Sequence, residues 1–181
     1  MKKSGQVWIE TVLYTLIGLA LIGLALGFIM PQINAAKDKA TVEQAINSLS
    51  EFDARVNEVI ETGTGNIRQI EFYMKKGDLE INSSSYASTN ISEIKMTLSE
   101  LSKPYSEPGV EINVGRIKVN SSGGQKTSSV SLRVPYRYIN ITYGGSNVNK
   151  KFFSASTPYK FSIENKGNGK IDITEVSNTN T

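Results

Sequence analysis

Residues 6–30 form one nearly continuous apolar stretch, QVWIETVLYTLIGLALIGLALGFIM. As a helix, about 20 such residues span the hydrocarbon core of a bilayer, which is about 30 Å thick. The five residues before the stretch read MKKSG, one carboxylate (Glu10) lies inside it, and Pro31 follows it. Any fold of this chain must therefore give residues 6–30 an apolar environment, whether lipid or protein.

Three interpretations of residues 6–30 compete: a secretory signal peptide, a permanent anchor, and an anchor that later becomes a packing surface. A signal peptide has an apolar region of about 7–15 residues followed by small residues at a cleavage site. Here the apolar run is longer, and the candidate site at 34–36 (Asn-Ala-Ala) is poor. A permanent anchor agrees with the length and with Lys2 and Lys3, which favour a cytoplasmic N-terminus. It leaves Glu10 unexplained, because a carboxylate within a spanning helix costs roughly 2.5–3.5 kcal/mol and usually has a partner.

The partner we infer for Glu10 is an α-amino group released by cleavage after Gly5. The segment from Lys2 to Gln6 (KKSGQ), with Glu10 four residues after Gln6 and an apolar helix behind it, resembles the class III signal peptide of type IV pilins. With Gln6 as the first mature residue, the segment resembles the archaeal adhesion pilins in particular. The resemblance implies that a membrane aspartyl peptidase cuts between Gly5 and Gln6 on the cytoplasmic side and that the apolar helix is retained. It covers only the first thirty or so residues.

The resemblance also implies a function, partners and a location. The chain would be the structural subunit of an extracellular type IV pilus-like filament, polymerising with copies of itself through its apolar helix and serving surface adhesion. Its partners in biogenesis would be a prepilin peptidase, an assembly ATPase and a membrane platform protein. As a precursor it would lie in the cytoplasmic membrane with its head outside. The alternative is a single-span, membrane-anchored extracellular binding domain that keeps residues 1–5 and does not polymerise.

Small residues and one proline characterise the apolar stretch. Gly18, Gly23 and Gly27 let neighbouring backbones approach closely, and residues 23–27 form a GxxxG pattern. Pro31 crowds the carbonyl four residues back, which belongs to Gly27 and leaves room for a bend. Two interpretations remain open: a helix that bends so that many copies pack in a narrow core, or ordinary glycine enrichment with a helix start at Pro31.

The remainder of the sequence predicts an α+β fold. Residues 7–61 are expected to form one long helix, because beyond Pro31 the apolar positions recur at steps of three and four. This second stripe, predicted to pack on the chain's own head, comprises Val42, Ala45, Ile46, Leu49, Phe52, Val56, Val59 and Ile60. The chain should thus divide into a removable leader (1–5), a helix (6–61, with 6–30 as membrane or filament core) and a β-rich head (62–181). Gly63 is expected to cap the helix.

From residue 66 onward an alternating pattern predicts many short strands joined by tight turns, typical of an antiparallel sandwich or barrel. The predicted strands begin near Ile67 and Leu79 and then cover 91–101, 110–114, 116–120, 129–137, 138–143, 148–155, 159–164 and 170–176. The aromatic residues of the head are expected in the core or in cross-strand pairs. These residues are Tyr105, Tyr136, Tyr138, Tyr143, Phe152, Phe153, Tyr159 and Phe161.

Composition argues against catalysis and nucleic-acid binding. The chain has no cysteine and no histidine, so it lacks the commonest general base and the commonest metal ligand. Its net charge is +3, and removal of Lys2 and Lys3 leaves +1 without a basic stripe. Residues 164–170 imitate part of a calcium loop, but a lysine at the third position favours a hairpin with Asn168-Gly169 in its turn. We therefore expect no enzyme, no cofactor, no metal site and no nucleic-acid partner.

Four N-glycosylation acceptor patterns occur in the predicted head, at Asn82, Asn90, Asn120 and Asn140. In so polar a domain such patterns also arise by chance, so both interpretations stay open. If the head is extracellular, surface glycans become plausible. Asn82, Asn90 and Asn120 lie in serine-rich, loop-like surroundings and are better candidates than Asn140, which lies in a predicted strand.

Overall fold

A computed structural model describes residues 3–124 and 126–176, with side chains from residue 8 onward, so Met1 and Lys2 of the predicted leader lie outside the described residues. The chain divides into two compact units, Met1–Lys37 and Asp38–Thr181. The described part of the first unit is entirely helical. Helix α1 has the bounds Lys3–Thr62 and contains Pro31. It ends as expected at Gly63, whose φ of +92° suits the left-handed conformation that terminates helices.

In the described part of the second unit, α1 is followed by ten strands and one short helix. Their bounds are β1 Ile67–Phe72, β2 Asp78–Asn82, α2 Tyr86–Thr89, β3 Ile91–Leu101, β4 Glu111–Val114, β5 Ile117–Gly123, β6 Ser128–Arg137, β7 Asn140–Tyr143, β8 Asn149–Phe153, β9 Tyr159–Gly167 and β10 Lys170–Glu175. The predicted strands are therefore confirmed, with ends that shift by a few residues. The alternating pattern did not predict α2.

The strands form two sheets. One has four strands in the order β1-β9-β10-β7, and the other has six in the order β4-β5-β6-β3-β2-β8. Among the described residues neither sheet closes on itself, so the barrel alternative is excluded and the predicted α+β class holds. The pairing is mostly antiparallel, but β7 and β10 run parallel. This pair departs from the expected antiparallel arrangement, since sequence alternation does not specify strand direction.

The second half of α1 contributes its apolar stripe to the core of the Asp38–Thr181 unit. Of the predicted stripe, Ile60 is partly buried and the other members are buried: Val42, Ala45, Ile46, Leu49, Phe52, Val56 and Val59. Phe52 makes edge-to-face contacts with Phe72 of β1 and Phe161 of β9, with ring centroids 5.7 Å apart in both cases. The stripe therefore packs on the head as predicted, because the apolar face of the helix is removed from water where it contacts the core of the head.

A buried polar contact joins the same helix to the six-stranded sheet. The hydroxyl of Tyr136 on β6 donates to Asp53 Oδ1 at 2.7 Å, and Tyr136 is 1% exposed. Arg116 Nε lies 3.6 Å from Asp53 Oδ2, and its guanidinium covers the Tyr136 ring at 5.5 Å. Burial, followed by the charge of Asp53, holds the pKa of Tyr136 well above its usual value. The hydroxyl thus stays protonated and remains a donor.

Edge strands end both sheets, and charged residues accompany the two edges of the larger one. Edge strand β4 is four residues long, and its Glu111 contacts Lys118 of β5 and Arg133 of β6. The opposite edge strand, β8, carries Lys150 and Lys151. Short length and lysine are features that disfavour pairing of an edge with a foreign strand.

The aromatic residues only partly follow the expectation of burial. Tyr136, Phe152 and Phe161 are buried, and three others pack partly buried against the core, namely Tyr105, Tyr143 and Tyr159. Tyr138 and Phe153 are 70% and 68% exposed, so neither lies in the core. Phe153 pairs across the strands with Asp78 of β2, so the prediction was wrong only for Tyr138. Phe153 is the last residue of edge strand β8, and Tyr138 follows the last residue of β6, so both lie where the sheet no longer covers them.

The predicted hairpin at residues 164–170 is confirmed. Strands β9 and β10 pair antiparallel, and Asn168 and Gly169 between them have φ of +50° and +70°. Two successive positive φ angles are typical of the two-residue turns that connect such strands. This segment is therefore a turn of the four-stranded sheet.

Candidate assembly segment in the N-terminal helix

The first half of α1 carries an exposed apolar surface. Within residues 8–30 every residue except Gly18 is exposed. The fifteen large apolar side chains here are Trp8, Ile9, Val12, Leu13, Tyr14, Leu16, Ile17, Leu19, Leu21, Ile22, Leu24, Leu26, Phe28, Ile29 and Met30. Their exposed fractions run from 38% at Val12 to 80% at Phe28. By length and composition, this helix is able to cross a membrane.

The free energy at stake on this surface is large. Burying one large apolar side chain contributes about 1.5–3 kcal/mol relative to leaving it in water. For fifteen such side chains the sum is on the order of tens of kcal/mol, several times the net stability of a typical domain. A surface of this kind must therefore be covered by lipid or by protein in the cell.

The predicted processing and charge-pairing residues lie at the start of this segment. Gly5 and Gln6 have helical backbone within α1, and their side chains lie outside the described residues. Glu10 is exposed, one helical turn after Gln6. An exposed carboxylate on an otherwise apolar helix surface costs free energy in lipid, so its position agrees with a requirement for a positive partner.

The predicted packing residues are open to a neighbour. A Cβ added to Gly18, Gly23 or Gly27 would meet no described atom within 4 Å outside the helix's own backbone. The hydroxyl of Thr15 donates to the carbonyls of Thr11 (3.1 Å) and Val12 (2.8 Å), which satisfies the polar atom inside the helix. The sequence pattern did not predict these hydrogen bonds of Thr15. These positions can therefore accept close helix–helix contact without leaving the Thr15 hydroxyl unsatisfied.

Asp38 is the first residue of the second unit and a second feature that the sequence did not reveal. Its carboxylate accepts hydrogen bonds from the Ser102 backbone N–H at 2.7 Å and from the Ser102 hydroxyl at 2.6 Å. Lys76 Nζ lies 3.8 Å away. Partial burial acts to raise the pKa of Asp38, but the Ser102 hydrogen bonds and the Lys76 charge outweigh it and hold the pKa below its usual value. The head thus contacts α1 at the first residue of the second unit.

The four sequon asparagines occupy different local structures. Asn82 is the last residue of β2, Asn120 lies within β5 and Asn140 begins β7, and all three are half-buried. The expected loop-like setting is therefore wrong for Asn82 and Asn120, because their strands extend further than the alternation indicated. Asn90 follows α2 directly and is exposed.

The part of the chain that the structure describes holds no group of three or more Asp, Glu, His or Cys arranged to bind a metal ion. No protein family, no curated protein and no solved structure matches the chain.

Proposed function

We propose that this chain is the structural subunit of an archaeal type IV pilus-like filament. The observation that carries the proposal is the exposed apolar helix surface at residues 8–30, preceded by a KKSGQ motif and containing a single carboxylate, Glu10. In this proposal residues 1–5 are removed, 6–61 form the polymerising helix, and 62–181 form the head that faces the environment. Lipid contacts of the helix are exchanged for contacts with other copies.

The assembly step follows from the environment of the helix. Before assembly, lipid covers residues 6–30 in the cytoplasmic membrane; in the filament, the same residues of other copies cover them. Because apolar contact is kept throughout, the helix avoids water, against which its burial is worth about 25 cal/mol per Å². The open positions at Gly18, Gly23 and Gly27 would let backbones approach, and Pro31 would permit a bend in the packed helix.

Glu10 has a defined role in this proposal. Cleavage after Gly5 creates an α-amino group on Gln6, and the Glu10 carboxylate offsets that charge on its own chain or on a neighbour. Pairing of the two charges in an apolar core would set the axial register of subunits. A prepilin peptidase, an assembly ATPase and a membrane platform protein are the partners required before and during assembly.

The test is N-terminal sequencing of filaments sheared from the source cells. We expect this polypeptide in the sheared fraction, beginning at Gln6. Glu10→Gln is expected to be processed normally and to lower the yield of filaments at least tenfold, with Glu43→Gln, an exposed glutamate lower on the same helix, as the matched control. Normal filaments from Glu10→Gln would refute the pairing.

The second candidate is a single-span anchored binding domain that does not polymerise. The lysines before the apolar segment and the membrane-spanning length of the helix favour it equally. It requires that residues 1–5 stay on the mature chain and that the chain stay in the membrane fraction after shearing. The same sequencing experiment therefore separates the two functions.

A further inference from the structure

Tyr138 is an exposed aromatic residue in a strained backbone conformation. It follows β6 directly, its side chain is 70% exposed, and its φ is +63°. Bulky side chains rarely adopt positive φ, since the Cβ then crowds the backbone. Such strain is typically retained where the residue has a use. The core does not use this ring, because it is exposed.

Asn90 lies directly opposite Tyr138. In the antiparallel β3–β6 pair, Ile91 faces Arg137, and one step beyond this pair the Tyr138 N–H donates to the Asn90 carbonyl at 2.8 Å. Asn90 is exposed and has a φ of +55°, a conformation that asparagine tolerates well. Residues that oppose each other across a strand pair are close neighbours. An exposed aromatic residue and an exposed acceptor asparagine, in the pattern Asn90-Ile91-Ser92, are thus joined through their backbones.

We propose that Asn90 carries an N-linked glycan and that the ring of Tyr138 stacks against its first sugar. The inference rests on the part of the proposed function that places the head outside the cell. In the transfer, Asn90 Nδ2 forms a bond to C1 of a sugar and releases its proton to water. The bond from C1 to the phosphate oxygen of a lipid-linked oligosaccharide breaks, and the lipid phosphate leaves with the bonding electrons. A pyranose ring has a face of C–H groups, which suits the face of an aromatic ring.

The other three sequons are less suited to carry a glycan on the folded head. Asn82 Oδ1 accepts from the N–H (3.1 Å) and the hydroxyl (2.8 Å) of Ser84. Asn140 Nδ2, the atom that would bear the sugar, donates to Asn147 Oδ1 at 2.9 Å. Asn120 is half-buried between paired strands β4 and β6. Asn90 alone among these four is exposed.

The structure also fixes when transfer must occur. Ser92, the hydroxyl residue of the Asn90 sequon, is fully buried, and its Oγ accepts the Ile141 N–H at 3.0 Å. An enzyme that reads this hydroxyl cannot reach it after β3 and β7 have packed. Transfer to Asn90 therefore precedes folding of the head, as the chain emerges from the membrane.

The first test is mass spectrometry of Asn90-containing peptides from the full chain purified from its source cells. We expect a sugar mass on Asn90 and its loss in Asn90→Gln. A bare Asn90 would overturn the inference. If bare chains are nevertheless found in sheared filaments beginning at Gln6, the inference fails while the proposed function stands; a head that faces the cytoplasm would remove both.

The second test isolates the role of the Tyr138 ring. Tyr138→Asn relieves the backbone strain and removes the ring, so it should raise Tm by about 1–3 °C in full chain from a host without N-glycosylation. In glycosylated chain the same substitution should lower Tm by a similar amount, because the sugar loses its contact. Tyr138→Phe keeps the ring and should retain the Tm of the glycosylated chain. Tyr73→Asn, the control at another exposed tyrosine, should change Tm in the same direction in glycosylated and unglycosylated chain. A Tyr138→Asn effect of the same sign in both forms would overturn the stacking.

Discussion

Tyr136→Phe tests the buried contact between the head and the second half of α1. The substitution removes only the hydroxyl that donates to Asp53 at 2.7 Å and keeps the ring in the core. Asp53 is 8% exposed, so water replaces the lost donor poorly. Arg116, 3.6 Å from the carboxylate, then remains as its charged partner.

The expected cost follows from the kind of bond that is lost. Hydrogen bonds to charged groups contribute about 1.5–3 kcal/mol to stability. We therefore expect Tyr136→Phe to lower the free energy of unfolding by about 2 kcal/mol. For a chain of this length, that corresponds to a decrease in Tm of about 4–8 °C.

The assay is urea unfolding of the full chain in detergent, followed by far-ultraviolet circular dichroism. Tyr73→Phe is the matched control, because its ring is 39% exposed, and it should change stability by less than about 0.5 kcal/mol. A double-mutant cycle with Asp53→Asn should give a coupling of about 1 kcal/mol or more. A loss below about 0.5 kcal/mol in Tyr136→Phe, or additive effects in the cycle, would refute the reasoning.

Two further predictions concern the Asp38–Thr181 unit. The pKa of Asp38 is lower in the folded state than its unfolded value of 3.8, so its ionised form stabilises the fold above that value, and this stability is lost as pH falls through the folded pKa. Asp38→Asn should therefore flatten the decline of the free energy of unfolding below about pH 4. The measurement is urea unfolding from about pH 2 to 7. An unchanged pH profile would contradict this. Gly77→Ala should lower stability by more than about 2 kcal/mol, because its φ is +92° and an added Cβ would stand 2.2 Å from the Thr97 carbonyl oxygen. Gly109→Ala, with φ of +80° and open space around it, should cost only about 1 kcal/mol, and equal losses at both sites would show that the clash is relieved.

Local periodicity accounts for what could be predicted from the sequence. The stripe from Val42 to Val59 is buried because a spacing of three and four residues places its apolar side chains on one face of the helix, and this face packs on the core. Strand β3, Ile91–Leu101, was predicted with its observed bounds for the same kind of reason, the alternation of apolar residues at Ile94, Met96 and Leu98. In both cases the signal lies within the element itself.

Features that depend on distant pairing were not predictable in this way. The parallel alignment of β7 with β10 and the contact of Asp53 with Tyr136 join residues far apart in sequence. In the sequence, Asp53 is one of several charged residues between the apolar positions of the helix, and nothing local marks it as buried. In the apolar segment, the pattern predicted a helix, but its eventual surroundings depend on other molecules. The exposure of Tyr138 was missed because aromatic residues are usually buried, and only the register shows where a sheet ends.

The edges of the six-stranded sheet have a consequence for crowded subunits. Chains gathered in one membrane patch or stacked in one polymer hold their heads at high local concentration, where open strand edges invite runaway sheet growth. A four-residue edge at β4 and paired lysines on β8 discourage such growth. If the chain polymerises as proposed, contacts between heads would thereby be left to side chains, and pairing of strand edges between close neighbours would be disfavoured.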